Sequence, residues 1–282
     1  MPKYIATPLV VASAALLLAA CGGDDNSTNL AEIGDPPTPL VNVNPDGNNT
    51  NPNDEDESVE SAGVPILPGY YSTTVVINDG SEATGATIID SDGRFTTFIP
   101  DTDITLGVMR GEPDNQISGE GFNTAYNGSS WEQNSGTLTG NAENDSSATF
   151  FLDASTSDYE SVVSISRSVE YSDNSITLGQ VSGTFLMDEA GWLTTEITIQ
   201  EDGSITGNDE SGCTFLGEAT IPDPSYSILR ISFSADNCPD ADTATAEQRS
   251  GLYSGLGFFA TDNSLIIFAS NETVAAYFNG VK

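Results

Sequence analysis

Forty-two carboxylates, nine tyrosines and not one histidine set the chemistry open to this chain of 282 residues. Without imidazole, a Ser-His-Asp triad, a Cys-His dyad and histidine-ligated zinc or iron are excluded. There is no Gly-x-Ser-x-Gly elbow and no phosphate-cradling glycine loop ahead of a helix. General acid–base work would fall to carboxylates, tyrosines and Lys282. A glycoside hydrolase needs only two carboxyl groups roughly 5–10 Å apart; Glu120, Glu132, Glu196 and Glu218 are the candidates. Trp131, Trp192, Tyr126 and Tyr253 could line a sugar platform, although packing is the commoner fate of such rings. Solvated surface charge is the ordinary explanation for any one pair among so many acids. The expectation is therefore no catalytic residue, no bound cofactor and no metal ligand.

The acids face only seven Lys and Arg, which gives a net charge of −35 and a pI near 4.1. Affinity for a nucleic-acid backbone comes from clustered basic side chains, so a nucleic-acid partner is excluded. A polybasic attachment to anionic lipid is excluded for the same reason.

The remaining chemistry lies in three cysteines, and the first stands apart. Cys21 follows Lys3, a mostly apolar run from Ile5 to Leu18, and then Ala19-Ala20. A positive start, about 14 apolar positions and small residues before a cut form the pattern of a secretory signal peptide. The run is shorter than the roughly 20 residues that span a bilayer. Leu18-Ala19-Ala20-Cys21 resembles the lipobox of bacterial lipoproteins. That resemblance implies cleavage after residue 20, a diacylglyceryl thioether on Cys21 and acylation of the new amino group. At about 0.8 kcal/mol per buried methylene, several acyl chains hold a protein on a membrane where one chain does not. Gly22 stands where aspartate would imply inner-membrane retention in enteric bacteria, so the resemblance implies the outer membrane of a Gram-negative cell. Cys213 and Cys238 are then left as an even pair in an oxidising compartment, which reads as a disulfide. Metal ligation lacks partner residues, and a catalytic thiol lacks a base.

The elements that carry these residues fall into two kinds. From residue 22 to 63, Asn, Asp, Pro, Thr, Ser and Gly dominate, with ten acids and no base. Such composition cannot repay the entropy of ordering, so residues 21–63 are expected to be a disordered acidic stalk behind the lipidated cysteine. Its typical end-to-end distance is about 35–40 Å before charge repulsion extends it. Asn42 to Asn53 superficially matches a calcium loop, but Asn53 stands where the bidentate glutamate belongs.

From Val64 onward, 32 acids and six bases give a net charge of −26 over residues 64–282. Apolar residues here alternate with period two between turn signals, as in Tyr70–Ile77, Ser161–Ser168, Ser227–Ser234 and Ser264–Phe268. This is the pattern of half-buried antiparallel strands. Asp79-Gly80, Asp92-Gly93, Asn127-Gly128, Asp202-Gly203 and Asn279-Gly280 predict hairpins with type I′ turns. Only Asp240–Arg249 predicts a short helical turn. Gly69-Tyr-Tyr with Ala86–Thr96 recurs loosely as Gly183-Thr-Phe with Glu196–Thr206, about 110 residues on. The fold class expected is all-β and antiparallel. It comprises two tandem small barrels or sandwiches over 64–178 and 179–282, with one continuous sheet as the alternative.

Gly183-Thr-Phe, Glu201–Gly207, Gly212-Cys-Thr-Phe, Cys238 and Gly251–Phe258 together resemble a group of uncharacterised proteobacterial β-rich lipoproteins. That resemblance implies the compartment and no activity. The function expected is a cell-envelope lipoprotein, tethered to membrane through Cys21, whose head binds an envelope protein or glycan or plays a structural role. A carboxylate-based glycan hydrolase and a lipocalin-like carrier of a small apolar ligand are the alternatives.

Overall fold

The computed structural model describes residues 63–282 except 78–79, 101–102, 155–159 and 191. The segments expected to be a signal peptide and an acidic stalk, and Cys21 between them, fall on residues 1–62, outside the described residues. Eight strands come first: β1 (Gly69–Ile77), β2 (Glu82–Ile89), β3 (Arg94–Ile99), β4 (Asp103–Gly111), β5 (Gln116–Tyr126), β6 (Trp131–Asn144), β7 (Ser147–Ala154) and β8 (Glu160–Arg167). Each pairs antiparallel with the next, and β8 returns to β1 with Val75 opposite Val163, which closes a barrel. Two short helices, α1 (Val169–Ser172) and α2 (Leu178–Val181), lead to the second set. This runs β9 (Gly183–Met187), β10 (Thr195–Ile199), β11 (Ser204–Asp209), β12 (Thr214–Thr220) and β13 (Ile228–Asp236). After α3 (Ala246–Arg249) come β14 (Gly251–Phe259), β15 (Ser264–Ser270) and β16 (Ala275–Val281). Val281 meets Leu186 of β9, and a second eight-stranded barrel closes.

The protein is thus all-β with two antiparallel barrels, neither a sandwich nor one continuous sheet. Closure removes every free sheet edge, so neither barrel offers a template for strand addition. The division expected at 178/179 falls inside α2.

Alternation along each strand fills the barrels. Tyr71, Ile89, Phe95, Met109, Leu138 and Phe150 pack inside the first. Phe185, Ile205, Phe233, Tyr253, Leu265 and Phe278 pack inside the second. The chain entering each barrel also plugs it: Ile66 joins the first interior, and Ile176 and Val181 join the second. Two inner tyrosines are anchored by their hydroxyls, Tyr71 to the Leu67 carbonyl and Tyr253 to the Arg249 carbonyl at 3.0 Å. Burial pushes both phenols above their ordinary value of 10.0. With the folded value raised, the stability they contribute is complete below pH 10 and is lost as pH rises towards the folded value. In a titration followed by tyrosinate absorbance, Tyr71 and Tyr253 should stay protonated past pH 10 and ionise only with unfolding. Full ionisation of all nine tyrosines in the native state would contradict this.

The turns are built alike. Backbone N–H groups of Asp90, Gln200 and Ala260 bond to the carbonyls of Arg94, Ser204 and Ser264, and the intervening Gly93, Gly203 and Asn263 bond back to the first residue. Only that last turn residue has positive φ (79°, 89° and 65°), so these are type I turns with a glycine-type bulge; at Asp92-Gly93 and Asp202-Gly203 this replaces the expected type I′ turn. An aspartate precedes each, and Asp92's neighbour Asp90 and the residues Asp202 and Asp262 cap local N–H groups with their Oδ1 atoms. Gly93 and Gly203 occupy matching places: their carbonyls accept from Met109 and Ala219 on the strand beyond. The loose repeat in the sequence therefore marks equivalent hairpins, β2–β3 and β10–β11. A Cβ at either glycine would stand 2.4 Å from a backbone oxygen. Gly93→Ala and Gly203→Ala should each cost about 1–2 kcal/mol, read as a lowered urea midpoint with unchanged slope.

One expected hairpin is corrected. Asn279-Gly280 lies within β16, where a Cβ on Gly280 would meet the Phe278 ring at 2.3 Å. The glycine there makes room for an aromatic ring and does not turn the chain. The helical turn expected within Asp240–Arg249 is α3, capped by Thr245.

A third apolar cluster joins the barrels through their outer walls. Ile88, Phe98 and Ile104 of the first meet Ile228, Phe258 and Phe268 of the second. Phe98 stacks on Phe268 and on Tyr277, each at 4.9 Å between ring centres. Beside these rings, Arg230 donates from Nε to the buried Asp90 at 2.6 Å and from Nη2 to Asp92. In the same seam Thr124 and Ser270 share a hydrogen bond of 2.9 Å.

Candidate functional site

The residues singled out for acid–base chemistry are scattered. Glu120 sits on the outer wall of β5, 3.8 Å from Arg110. Glu132 lies at the start of β6 and accepts from Asn127, whereas Glu196 and Glu218 lie on β10 and β12 of the other barrel. Lys282 donates from Nζ to the Gln180 carbonyl at 2.7 Å and lies over the rings of Phe185 and Phe259. Burial lowers its pKa, and its contacts tie the chain end to α2 and the barrel interior.

The aromatic candidates are dispersed too. Tyr253 is inside the second barrel, stacked on Phe233 at 5.0 Å. Trp131 pairs with Tyr126 at 5.4 Å and packs against core residues of the second barrel. Its indole N–H is one of two buried side-chain groups without a hydrogen bond among the described residues; the other is the Thr96 hydroxyl. Trp192 packs on Tyr277 at 4.8 Å. Among the described residues no group of three or more Asp, Glu, His or Cys side chains is placed to hold a metal.

Cys213 and Cys238 are bonded, with Cα atoms 4.1 Å apart. The bridge ties the β11–β12 hairpin to the long connection between β13 and β14. Arg249 reinforces the same corner, donating to Asp209 Oδ2 at 3.0 Å, Ser211 Oγ at 2.9 Å and the Pro239 carbonyl at 2.8 Å. This end of the second barrel is closed by covalent and ionic contacts.

The first barrel differs. Across β2 to β6, Thr87, Thr97, Thr105, Asn123 and Asn134 are successive cross-strand partners. All five share the inward alternation of Phe95 and Met109. The Thr73, Thr87 and Thr97 hydroxyls form a chain with spacings of 2.7 and 2.8 Å, and Asn123 Nδ2 donates to Thr105 Oγ1 at 2.9 Å. Thr87 is fully buried, while Thr97, Thr105, Asn123 and Asn134 are half-buried. One row below, Phe95, Gly107, Gly121 and Gly136 are partners in the same way. The Phe95 ring fills the space that side chains at Gly107 and Gly121 would take. No single strand advertises this belt. Its only sequence signal is a Thr or Asn at an inward position of five strands in turn.

The fold and this wall define a class: an all-β double barrel, disulfide-braced at one end, with a polar inner belt in one unit. No family model, curated protein or solved structure matches the chain.

Proposed function

We propose that the protein is a lipid-anchored component of the cell envelope, at the outer membrane of a Gram-negative bacterium, whose double-barrel head binds or braces and does not catalyse. The observation that carries this reading is Leu18-Ala19-Ala20-Cys21 at the end of a short apolar run. The acidic, Asn- and Pro-rich tract that follows suits a tether holding a head away from the lipid. A disulfide in the second barrel fits an oxidising compartment. Barrel interiors packed with aromatic and aliphatic side chains favour a scaffold over a hollow carrier of apolar ligands. The dispersal of the carboxylate candidates over two barrels favours binding over glycoside hydrolysis. Cells fed radiolabelled palmitate should label the full-length protein, and Cys21→Ala should abolish the label. Persistent labelling of that variant would refute the anchor.

A further inference from the structure

The chain holds two Asn-Gly pairs, Asn127-Gly128 and Asn279-Gly280, which are equivalent in sequence and opposite in setting. We propose that Asn127 is a self-modification site, at which the Gly128 backbone attacks the side chain and converts it to aspartate and isoaspartate. Asn279 is protected from the same reaction by its place in β16.

Asn127, Gly128, Ser129 and Ser130 join β5 to β6 and are all exposed. Asn127 Oδ1 accepts from the Ser129 N–H at 2.9 Å, the Ser129 hydroxyl at 2.8 Å and the Ser130 N–H at 2.9 Å. Its Nδ2 donates to Glu132 and, at 3.3 Å, to Ser130 Oγ. The side chain therefore reaches over Gly128, which lays the carboxamide carbon alongside the Gly128 amide. That N–H has no hydrogen-bond acceptor among the described residues. The space where a Cβ would stand at residue 128 is empty, so nothing screens the nitrogen. Holding two reacting groups side by side in one chain makes their encounter intramolecular.

The chemistry needs only water. The Gly128 amide gives its proton to hydroxide, and its nitrogen bonds to Asn127 Cγ as the carbonyl π pair moves onto Oδ1. Three donors already meet that oxygen, and their bonds strengthen as it becomes an anion. When the pair returns, the Cγ–Nδ2 bond breaks, and Nδ2 takes a proton from water and leaves as ammonia. Water then opens the cyclic imide, at Cγ to give aspartate or at the backbone carbonyl to give isoaspartate. In sum, a carboxamide and water become a carboxylate and ammonium. The product sets a carboxylate against Glu132 where a donor stood.

Asn279 has no such freedom. Gly280 is buried opposite Leu265, and the Phe278 ring fills the room where its side chain would be. The Asn279 N–H is itself engaged, donating to Met187 Sδ at 3.3 Å. Ring closure would require this stretch to leave its pairing with β15.

The test is peptide mapping by mass spectrometry of the full-length protein aged in warm, mildly alkaline buffer. The Asn127 peptide should gain the mass of an amide-to-acid change and split chromatographically into aspartyl and isoaspartyl forms. The Asn279 peptide should keep its amide in the native protein and lose it once urea unfolds the chain. Gly128→Ala should slow conversion at Asn127 by about tenfold or more, because the new Cβ hinders the approach of the nitrogen. Asn127→Gln, whose longer side chain would have to close a larger ring, provides a second variant that should not convert should Gly128→Ala loosen the hairpin. The proposal is overturned if native Asn127 keeps its amide as long as Asn279 does. It is overturned equally if Gly128→Ala and Asn127→Gln both convert as fast as the parent.

Discussion

Arg230→Ala should lower the stability of the double barrel by about 3 kcal/mol, the size seen when one partner of a buried ion pair is removed. Asp90, whose side chain is fully shielded, accepts from Arg230 Nε with one oxygen. With the other it accepts the N–H groups of Asp92 and Arg94 at 2.9 and 3.0 Å. The carboxylate is therefore fixed by its own turn and cannot swing out to water when the guanidinium is gone. Arg230 keeps about a quarter of its side chain exposed, which places the expected loss at the low end for such pairs. Arg230→Met, which retains the aliphatic stem, should be nearly as damaging, because the loss is the orphaned charge. Adding Asp90→Asn to Arg230→Met should recover part of it, and the double-mutant cycle isolates the pair. For a head of this size the single variant should melt roughly 6–12 °C lower. A change below about 1 kcal/mol would mean that solvent screens the pair and that the aromatic seam alone joins the barrels.

Breaking the Cys213–Cys238 bridge is the second large effect. The bond closes a loop of 25 residues, and its removal returns about 3–4 kcal/mol of chain entropy to the unfolded state. Both sulfur residues are buried, at 2% and 7% exposure, so Cys213→Ala/Cys238→Ala is a cleaner test than serine, which would bury two hydroxyls. The connection between β13 and β14 depends on the bridge and on Arg249. In the double variant its amides should exchange with solvent much faster than those of the β13–β14 pairing itself. Identical melting with and without reductant would show that Arg249 and its partners hold the corner unaided.

Both effects arise where residues distant in sequence meet, and they differ in how visible they were. Cys213 and Cys238 could be paired by compartment and by elimination, because only two thiols remained once Cys21 was set apart. Arg230 and Asp90 are 140 residues apart, and nothing local links them. The apolar seam left a faint trace: Ile88-Ile89, Phe258-Phe259 and Ile266-Ile267-Phe268 break strict alternation, as strands covered on both faces must. The hairpins were legible as Asp-Gly pairs, yet their turn type was not. Only the glycine takes positive φ, and the bulge is set by the carbonyl contact to the strand beyond. Asn279-Gly280 looked the same in sequence, but in β16 the glycine is fixed by the volume of Phe278. The four glutamates and four aromatics considered for sugar chemistry were chosen by residue type, and the fold scattered them.

The sequence by itself determined the all-β class and the placement of several turns, and it favoured two units over one continuous sheet. These rest on period-two alternation and on turn residues, which act over a few positions of chain. Tertiary structure alone decided that the sheets close, that two outer walls meet through aromatic rings, and that five Thr and Asn side chains align as one inner belt. Closure and alignment depend on register summed across successive strands. A shift of one residue in any pairing would turn that strand's belt residue to the outside, and no local pattern records the sum.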